Sequence, residues 1–413
     1  MKRSDNRFTV IDLFSGAGGM SYGFHANSAF RIIGAADVQV GKPSSGKGSL
    51  ECNETYYENM GLRPVEADLS EINPSDLHAQ IYGNAARRKL SVLIACAPCT
   101  GFSRTTPNNH LRDDPRNSLV LRTSLFVEEF KPDVFLMENA RELIQGNFSH
   151  HFDRLRERLQ ELGYQVKGEV HRLNRFGLPQ IRERAFVIAT KKGLPIYGLD
   201  DLWGGFCVTT ESQTVRRAIE HFPTVDAGET HPEDKYHRSP SFADPNSLKR
   251  LQMIPKDGGS WVDLLKIKDG IELMTPAMKR YVEQNKFGSH PDVYGRLWWD
   301  RPCVTIKREC AHVGNGRYAH PEQDRLCTVR EMATLQGFPE DYSFNSSGLA
   351  NMYRHIGDAV PPLIAFQISK LCEWILTGKR PDLDSCVLPK TSLKADDIQP
   401  IRAKQDRQLS IFA

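Results

Sequence analysis

Two cysteines near the end of one apolar stretch are the first residues in this sequence that could carry out covalent chemistry. The stretch LSVLIAC ends at Cys96, and Cys99 follows in the loop APCTG. A thiol just beyond the carboxyl end of a sheet strand is placed to act as a nucleophile, so Cys99 is the candidate. Cys96 and Cys99 also form a C-x-x-C pair, which leaves a redox pair open. A zinc site is disfavoured because no second C-x-x-C follows, and we predict no metal.

A carboxylate and two arginines lie at the ends of two further apolar stretches. Glu138 follows VFLM, and Arg182 and Arg184 flank Glu183 at the start of AFVIA. A carboxyl group that closes a buried strand can stabilise charge while a bond forms. A guanidinium can bind a carbonyl or a phosphate with two hydrogen bonds, and alternation along a strand places both arginines on one face. The alternatives are a surface glutamate and paired surface arginines.

A glycine-rich loop, SGAGG, follows the first apolar stretch, FTVIDLF. Its glycines allow a tight turn, and the helix after it offers free N–H groups to a ligand. Asp37 and Asp68 end the next two predicted strands, and an acid at the second position can accept hydrogen bonds from ribose hydroxyls. The loop lacks the spacing G-x-G-x-x-G, which favours a nucleoside cofactor without a pyrophosphate over NAD. Three unrelated turns are the alternative.

The elements that position these residues follow an alternating pattern. Apolar stretches predict strands over Phe8–Phe14, Arg31–Val38, Leu90–Cys96, Val134–Met137 and Arg184–Thr190. Helical spacing predicts helices over Asn117–Phe130, His151–Leu162, Thr328–Leu335 and within Leu363–Leu376. Strands that alternate with helices indicate an α/β fold, with a parallel sheet covered on both faces. Residues 191–300 are polar and punctuated by Gly and Pro, which is typical of a separate loop-rich unit, and the chain after Gly378 is interpreted as a linker-like tail.

Composition limits the class of protein. The chain has 413 residues, a formal net charge of +3 and 39% hydrophobic residues, as expected of a soluble globular protein with one large or two smaller domains. No stretch approaches 18 apolar residues, and the N-terminus has no long apolar segment, so we expect neither a membrane span nor secretion. Nine cysteines are sparse and odd in number, which indicates reduced thiols in the cytoplasm. The weak positive charge permits a polyanionic partner without requiring one.

Eight sequence blocks occur in an order that resembles one enzyme family. They are DLFSGAGG (12–19), APCTGFS (97–103), MENA (137–140), QIRER (180–184), HPE (320–322), RLCTVRE (325–331), LQGFP (335–339) and GDAVPP (357–362). Together they are similar to the DNA (cytosine-5)-methyltransferase family, over residues 8–190 and 293–376. The resemblance implies a Rossmann-like, S-adenosylmethionine-dependent methyltransferase domain of the α/β class, with a smaller loop-rich target-recognition domain. The implied divisions are a catalytic and cofactor-binding part (1–190), target recognition (191–300), a part returning to the catalytic domain (301–378) and a tail (379–413).

The resemblance also implies roles for individual residues. The Cys99 thiolate would add to carbon 6 of a cytosine, Glu138 would stabilise the ring, and Arg182 and Arg184 would lie near them. The cofactor would be S-adenosylmethionine, and its product S-adenosylhomocysteine. The implied cofactor-binding residues are Phe14, Gly16, Gly18, Asp37, Asp68, Leu69, Pro98, Asp358 and Ala359.

Two positions depart from the usual pattern of that family. Ala140 stands where the family usually has Val, a small loss of packing volume. Asp358 stands where the family usually has Asn, so a group that can donate is replaced by an acid that cannot donate when ionised. Asp358 could instead meet the amino group of the cofactor.

The same resemblance implies double-stranded DNA as the substrate, with the target cytosine flipped out of the duplex. The residues assigned to DNA contact are Ser103, Arg104, Asn108, Arg112, Arg238 and Lys256, and the candidate contact loops are 231–241, 249–250 and 256–260. Residues 191–300 carry about as many acidic as basic side chains, so DNA contact there depends on their arrangement. A tRNA cytosine-5 methyltransferase and a thiol–disulfide oxidoreductase at Cys96 and Cys99 are the alternatives.

The C-terminal residues Gln408–Phe412, QLSIF, resemble the short peptide by which bacterial proteins dock on the DNA sliding clamp. A frayed terminus is the alternative. We expect a monomer without membrane contact, in the cytoplasm and associated with the nucleoid. Restriction–modification, phage defence and epigenetic marking are the settings that fit, and no motif reveals the target sequence.

Overall fold

The computed structural model describes residues 6–42, 47–83, 89–98, 113, 117–287 and 290–401. Some residues with assigned roles lie outside this range: Cys99, Ser103, Arg104, Asn108, Arg112 and Gln408–Phe412. Within it, in chain order, the strands are β1 Phe8–Leu13, β2 Phe30–Ala36, β3 Val40–Lys42, β4 Lys47–Ser49, β5 Val92–Ala95, β6 Val134–Ala140, β7 Tyr164–Arg172, β8 Glu183–Lys191, β9 Phe206–Val208, β10 Thr230–His231, β11 Asp234–Arg238 and β12 Ile398–Pro400. The α-helices are α1 Gly19–His25, α2 Cys52–Met60, α3 Pro74–Tyr82, α4 Ser118–Phe130, α5 Glu142–Gln145, α6 His150–Glu161, α7 Leu199–Leu202, α8 Val215–Ile219, α9 Pro245–Met253, α10 Pro276–Glu283, α11 Val329–Leu335, α12 Leu349–Asp358 and α13 Pro362–Thr377.

A six-stranded sheet in the order β2-β1-β5-β6-β8-β7 forms the centre of the structure. Strands β2, β1, β5 and β6 are parallel, whereas β8 runs antiparallel to both β6 and β7. The carboxyl ends of the four parallel strands therefore meet at one edge of the sheet, where ligands bind in open α/β folds.

Alternation along the strands gives the sheet two apolar faces. In β1, Val10 faces a cluster formed with α1 and α13, whereas Ile11 faces a cluster formed with α3, α4 and α6. Val92 and Leu93 of β5 divide between the same two clusters. Helices on both faces explain why these strands are almost continuously apolar. The predicted α/β architecture is confirmed.

A further hydrophobic cluster holds the second half of the chain together. It joins residues 215–299 to residues 303–359 and includes Trp261, Tyr318 and Tyr353, all fully buried, with Tyr56 of α2. Residues 199–208 pack instead against α13, in the cluster on one face of the sheet. Apolar packing thus continues across residue 300, and the domain limits stay predictions.

The predicted strands and helices in the first 190 residues lie within a few residues of the observed ones, but three strands, β3, β4 and β7, were not predicted. Strand β7 lies at the end of the sheet, and five consecutive residues in its middle are half-buried. No strand ends at Asp68 in the described structure; Val65 makes only an isolated bridge to Ala36. The prediction of a linker-like tail is wrong for residues 383–400, because Leu388 and Leu393 are buried and β12 pairs with β9.

One helical stretch among the described residues, Leu349–Thr377, is long and apolar enough to cross a membrane by length and composition. Pro361 and Pro362 interrupt it between α12 and α13. Of its most apolar window, 72% is buried inside the protein. This stretch is accounted for as part of the core.

Candidate active site

The carboxyl ends of β1, β2, β5 and β6 bring the predicted site residues to one edge of the sheet. Leu13, the last residue of β1, pairs with Ala36 of β2 on one side and with Ala95 of β5 on the other. Phe14, Asp37 and Cys96, which follow these three residues, therefore lie side by side. This adjacency forms the candidate site, because it places three segments that are distant in the sequence next to one another.

The glycine loop after β1 is held open by a carboxylate. Phe14 adopts a left-handed conformation, with φ of 60°, which is uncommon for a residue with a side chain. The backbone N–H of Gly16 donates to Asp37 Oδ2 at 2.9 Å. A side chain built at Gly16 would meet nothing within 4 Å, whereas one at Gly18 would contact Met60 and Tyr342. Open space at Gly16 and close packing at Gly18 leave a concave backbone surface.

Asp37 organises this surface as well as lining it. Its Oδ1 accepts from the N–H of Gln39 at 2.6 Å and from the Cys52 thiol at 3.5 Å. Burial raises the pKa of Asp37, and the hydrogen bonds from Gln39 and Gly16 oppose that rise. Asp37 therefore fixes the loop's shape, a role that the sequence did not suggest.

Two buried polar atoms beneath the loop were missed in the sequence. Asp12 is 1% exposed, and its Oδ2 accepts from the Ser21 hydroxyl at 2.6 Å. Burial raises the pKa of Asp12 to about 7. Among the described residues, neither Asp12 Oδ1 nor the Ser15 hydroxyl has a hydrogen-bond partner. Buried polar atoms are normally paired, so these two are available to a ligand or a water. The only signal in the sequence was an acid inside an apolar stretch.

Asp68 and Leu69 lie on the chain that follows Val65. Asp68 is exposed, and its Oδ1 accepts from the backbone and hydroxyl of Ser70 at 2.8 and 2.6 Å. Leu69 is 2% exposed, and its carbonyl accepts from Arg122 Nε at 2.6 Å. Asp68 thus offers an exposed polar group, whereas the side chain of Leu69 is enclosed by the protein.

The carboxylate of Glu138 is fixed by an arginine from the neighbouring strand. Arg184 Nε lies 2.7 Å from Glu138 Oε1, and both side chains are largely buried. The two groups form a close ion pair, but their angles do not meet the geometry of a hydrogen bond. Glu183 points the other way and pairs with Arg141 and Arg172 at 2.6 and 2.9 Å. Because successive side chains of β8 point to opposite faces of the sheet, Arg184 contacts the Glu138 carboxylate and Glu183 does not.

Arg182 has a different environment from Arg184. It is 2% exposed and donates to the carbonyls of Ile306 at 3.0 Å and Ala359 at 3.4 Å. Gln336 also donates to the Ala359 carbonyl, at 2.9 Å. These buried contacts join the C-terminal segment around Ala359 to the chain just before β8. They place residues from distant sequence blocks next to one another.

Cys96 and Pro98 lead from β5 toward Cys99. Burial raises the pKa of the Cys96 thiol well above its usual range, and Glu138 and Asp12 raise it further. Cys96 is therefore held as a thiol, which disfavours a redox pair that needs a thiolate. Pro98 is exposed, and Asn139 of β6 donates to the Ala97 carbonyl at 3.0 Å. This contact anchors the chain just before the nucleophile candidate.

Asp358 ends α12 and Ala359 follows it, across from the glycine loop. A side chain at Gly19 would lie 2.9 Å from Ala359 Cβ and 2.3 Å from the Val360 carbonyl, so the two segments touch. Asp358 pairs with Arg308, a residue outside every sequence block that we recognised. The sequence suggested a charged partner for Asp358 only through the replacement of the family's usual Asn by Asp.

The predicted DNA-contact residues within the described range lie on the second half of the chain. Arg238 ends β11 and is exposed. Lys256 is exposed and forms an ion pair with Asp324. The prediction of a contact loop at 249–250 is wrong for Arg250, which is 7% exposed and bonded inside the protein to Asp244 and Tyr294.

Comparisons with known proteins agree with this geometry. A family model described as C-5 cytosine-specific DNA methylase matches residues 8–374. The chain is 32% identical over 378 residues to the Type II methylase M.HgiDII of Herpetosiphon aurantiacus, covering 89% of this chain and 96% of that protein. It is 30% identical over 368 residues to the Type II methyltransferase M1.HphI of Haemophilus parahaemolyticus, covering 88% and 86%.

Solved structures show the same fold. An E. coli prophage protein assigned as a DNA modification methyltransferase superposes with a TM-score of 0.60 at 23% identity, covering 89% of this chain and 99% of that one. The Dnmt2 methyltransferase of S. pombe gives a TM-score of 0.52 at 20% identity, with coverage of 89% and 99%. These likenesses confirm the methyltransferase fold that the resemblance implied. Because the family match spans residues 8–374 and includes every block that builds the site, the chain belongs to the C-5 cytosine-specific DNA methylase family.

Proposed function

We propose that this member of the family methylates carbon 5 of a cytosine in duplex DNA, with S-adenosylmethionine as donor and Cys99 as the covalent nucleophile. The observation that carries the proposal is the Glu138–Arg184 ion pair at the sheet edge, one strand away from the chain that leads into Cys99. A carboxylate fixed in this way can meet the base while the thiol adds to it.

The residues at this edge fit a nucleoside cofactor with an amino-acid tail. The backbone at Gly16 is open, and Asp37 and Asp68 offer acceptors for hydroxyl and amine groups. The buried Ser15 hydroxyl, unpaired among the described residues, offers one further polar contact. When bound, S-adenosylmethionine supplies an electrophilic methyl group. The protein's part is to hold its ribose and adenine at Asp37, Asp68 and Leu69.

Carbon 5 of cytosine is a weak nucleophile until a group adds at carbon 6. The Cys99 sulfur would form a bond to carbon 6, and the electron pair displaced from the 5,6 double bond would become available at carbon 5. Glu138, near ring N3, stabilises the charge that develops on the ring, and Arg184 keeps the carboxylate in place. Carbon 5 would then bond to the methyl carbon of the donor, whose C–S bond would break to leave the thioether S-adenosylhomocysteine. Loss of the carbon 5 proton to water and departure of the Cys99 thiolate from carbon 6 would restore the aromatic ring. Cys96, a half-buried thiol whose pKa is raised, takes no part.

DNA is supported as the substrate by the family description, C-5 cytosine-specific DNA methylase, and the two relatives are named as a Type II methylase and a Type II methyltransferase. We propose that residues 191–300 read the target site and that Arg238 contacts the DNA. The target base must leave the helix to reach a carboxylate as buried as Glu138, which is 9% exposed. A cytoplasmic, nucleoid-associated monomer and clamp binding through Gln408–Phe412 remain predictions, and the clamp peptide lies outside the described residues.

Duplex DNA with 5-fluorocytosine in place of cytosine tests this proposal, because fluorine cannot leave carbon 5 as a cation. We expect a covalent protein–DNA band that requires S-adenosylmethionine and disappears in Cys99→Ser. Cys96→Ser is the matched control and should keep the band. A band that survives Cys99→Ser would refute the nucleophile. A band on fluorinated tRNA alone would assign the RNA substrate instead, and equal loss in both cysteine variants would favour the redox alternative.

A further inference from the structure

Asp358 occupies a position that is unfavourable for a carboxylate in three respects. It is the last residue of α12, where the partial negative charge of the helix end repels an anion. Desolvation by the surrounding protein raises its pKa to about 6, and 36% of its side-chain surface remains exposed. Asp37 is a second carboxylate within electrostatic range, and it raises the pKa of Asp358. An acid placed under these conditions indicates a specific use.

Arg308 provides the compensating charge. One amino group of its guanidinium pairs with Asp358 Oδ2, and the other donates to the carbonyls of Gly41 and, at 3.3 Å, Val40. Arg308 also lowers the pKa of Asp37, against the stronger effect of burial. A single side chain thus joins the end of α12 to strand β3, which begins three residues after Asp37.

The backbone is shaped to bring these residues together. A side chain at Gly357 would lie 2.4 Å from the Lys307 carbonyl and 2.6 Å from Arg308 Cα. Only glycine allows that approach, so residues 307–308 lie directly against the last turn of α12. The Arg308 side chain is 21% exposed and has little room to leave.

We propose that Arg308 is a positioning residue of the cofactor site, and that it presents Asp358 as a carboxylate to the ammonium group of S-adenosylmethionine. Asp358 Oδ1 has no hydrogen-bond partner among the described residues, while Oδ2 is occupied by Arg308. An amide at this position would offer a neutral oxygen, whereas a carboxylate attracts a cation. Through its hydrogen bonds to the carbonyls of Val40 and Gly41, Arg308 also holds β3 against α12. These bonds keep the neighbouring Asp37 in place.

This inference rests on the proposed function, because it requires an S-adenosyl ligand at this edge of the sheet. The test therefore uses two ligands: S-adenosylhomocysteine, which carries the ammonium group, and 5′-methylthioadenosine, which lacks the whole amino-acid end. Dissociation constants are measured by calorimetry at pH 7.5 for the full chain, without DNA. Wild-type protein that binds neither ligand would refute the proposed cofactor, and that outcome is separate from those below.

We expect Asp358→Asn to weaken binding of S-adenosylhomocysteine at least tenfold and binding of 5′-methylthioadenosine less than twofold. Arg308→Met should weaken S-adenosylhomocysteine binding as well. In a double-mutant cycle, Arg308→Met should add little once Asp358→Asn is present, because the two act through one contact. Thermal melting curves for each variant verify that the protein is folded.

Three results would overturn the proposal. One is unchanged affinity of Asp358→Asn for S-adenosylhomocysteine. Another is equal weakening of both ligands, which would mean that Asp358 only maintains the shape of the pocket. The third is full additivity of Arg308→Met and Asp358→Asn, which would separate the arginine from the carboxylate.

Discussion

A buried ion pair in the second half of the chain gives a prediction about stability whose magnitude can be derived from the structure. Arg325 and Glu331 are 0% and 1% exposed and form two contacts, at 2.7 and 2.8 Å. Glu331 also accepts from the N–H of Thr328, at 2.7 Å, and so caps α11. We predict that Arg325→Met lowers the free energy of unfolding by about 3–5 kcal/mol, because it leaves a buried carboxylate without its cation.

The pKa of Glu331 supports this magnitude. The hydrogen bonds and charge of Arg325 outweigh burial and lower the pKa of Glu331 from 4.5 to about 2. That difference corresponds to about 3 kcal/mol of stability at pH 7. Because the folded pKa is the lower one, this contribution is present above pH 4.5 and is lost as the pH falls toward 2. We expect a loss of about 1 kcal/mol between pH 7 and pH 4.

Urea unfolding of the full chain at pH 7 and pH 4 measures both effects. The double variant Arg325→Met, Glu331→Gln is the control, and it should be more stable than Arg325→Met alone because the unpaired charge is gone. In Glu331→Gln, the part of the pH dependence due to this group should be absent. A destabilisation by Arg325→Met of less than about 1 kcal/mol would show that the carboxylate is not buried as described.

Three further changes test other parts of the structure. Gly19→Ala places a Cβ 2.3 Å from the Val360 carbonyl and should cost about 2–3 kcal/mol in urea unfolding; wild-type stability would contradict the close approach of the two segments. Arg184→Met should lower kcat about 100-fold while S-adenosylhomocysteine binding stays within twofold, because the side chain that it releases is Glu138; a kcat within threefold of wild type would be inconsistent with that role. Leu393→Ala, at a side chain 1% exposed, should cost about 2–5 kcal/mol, whereas a loss below 1 kcal/mol would restore the linker interpretation.

Much of the catalytic half could be predicted from the sequence because its signals are local. Strands buried on both faces are apolar along their whole length, so β1 and β5 stand out. Parallel strands end at one edge of a sheet, which is why Phe14, Asp37 and Cys96 could be expected to lie together. The resemblance of the eight sequence blocks to a known family supplied roles for residues whose function the spacing alone did not determine.

The remaining features depend on contacts between residues far apart in the chain. Strand β7 lies at the end of the sheet and carries half-buried polar residues, so it lacks an apolar signature. Leu388 and Leu393 are isolated apolar residues in a polar segment, and only the fold shows that they are buried. The partners of Arg250 and Arg308 are backbone carbonyls and carboxylates elsewhere, which no spacing rule reveals.

The release of tritium from carbon 5 tests the central claim most directly. Duplex DNA containing cytosine labelled with tritium at carbon 5 is incubated with S-adenosylmethionine carrying a ¹⁴C-methyl group. Methylation at carbon 5 must displace that hydrogen, so we predict one tritium released to water for each methyl group transferred, and neither in Cys99→Ser. Methyl transfer without tritium release would place the methyl group on another atom of the base and would contradict the account.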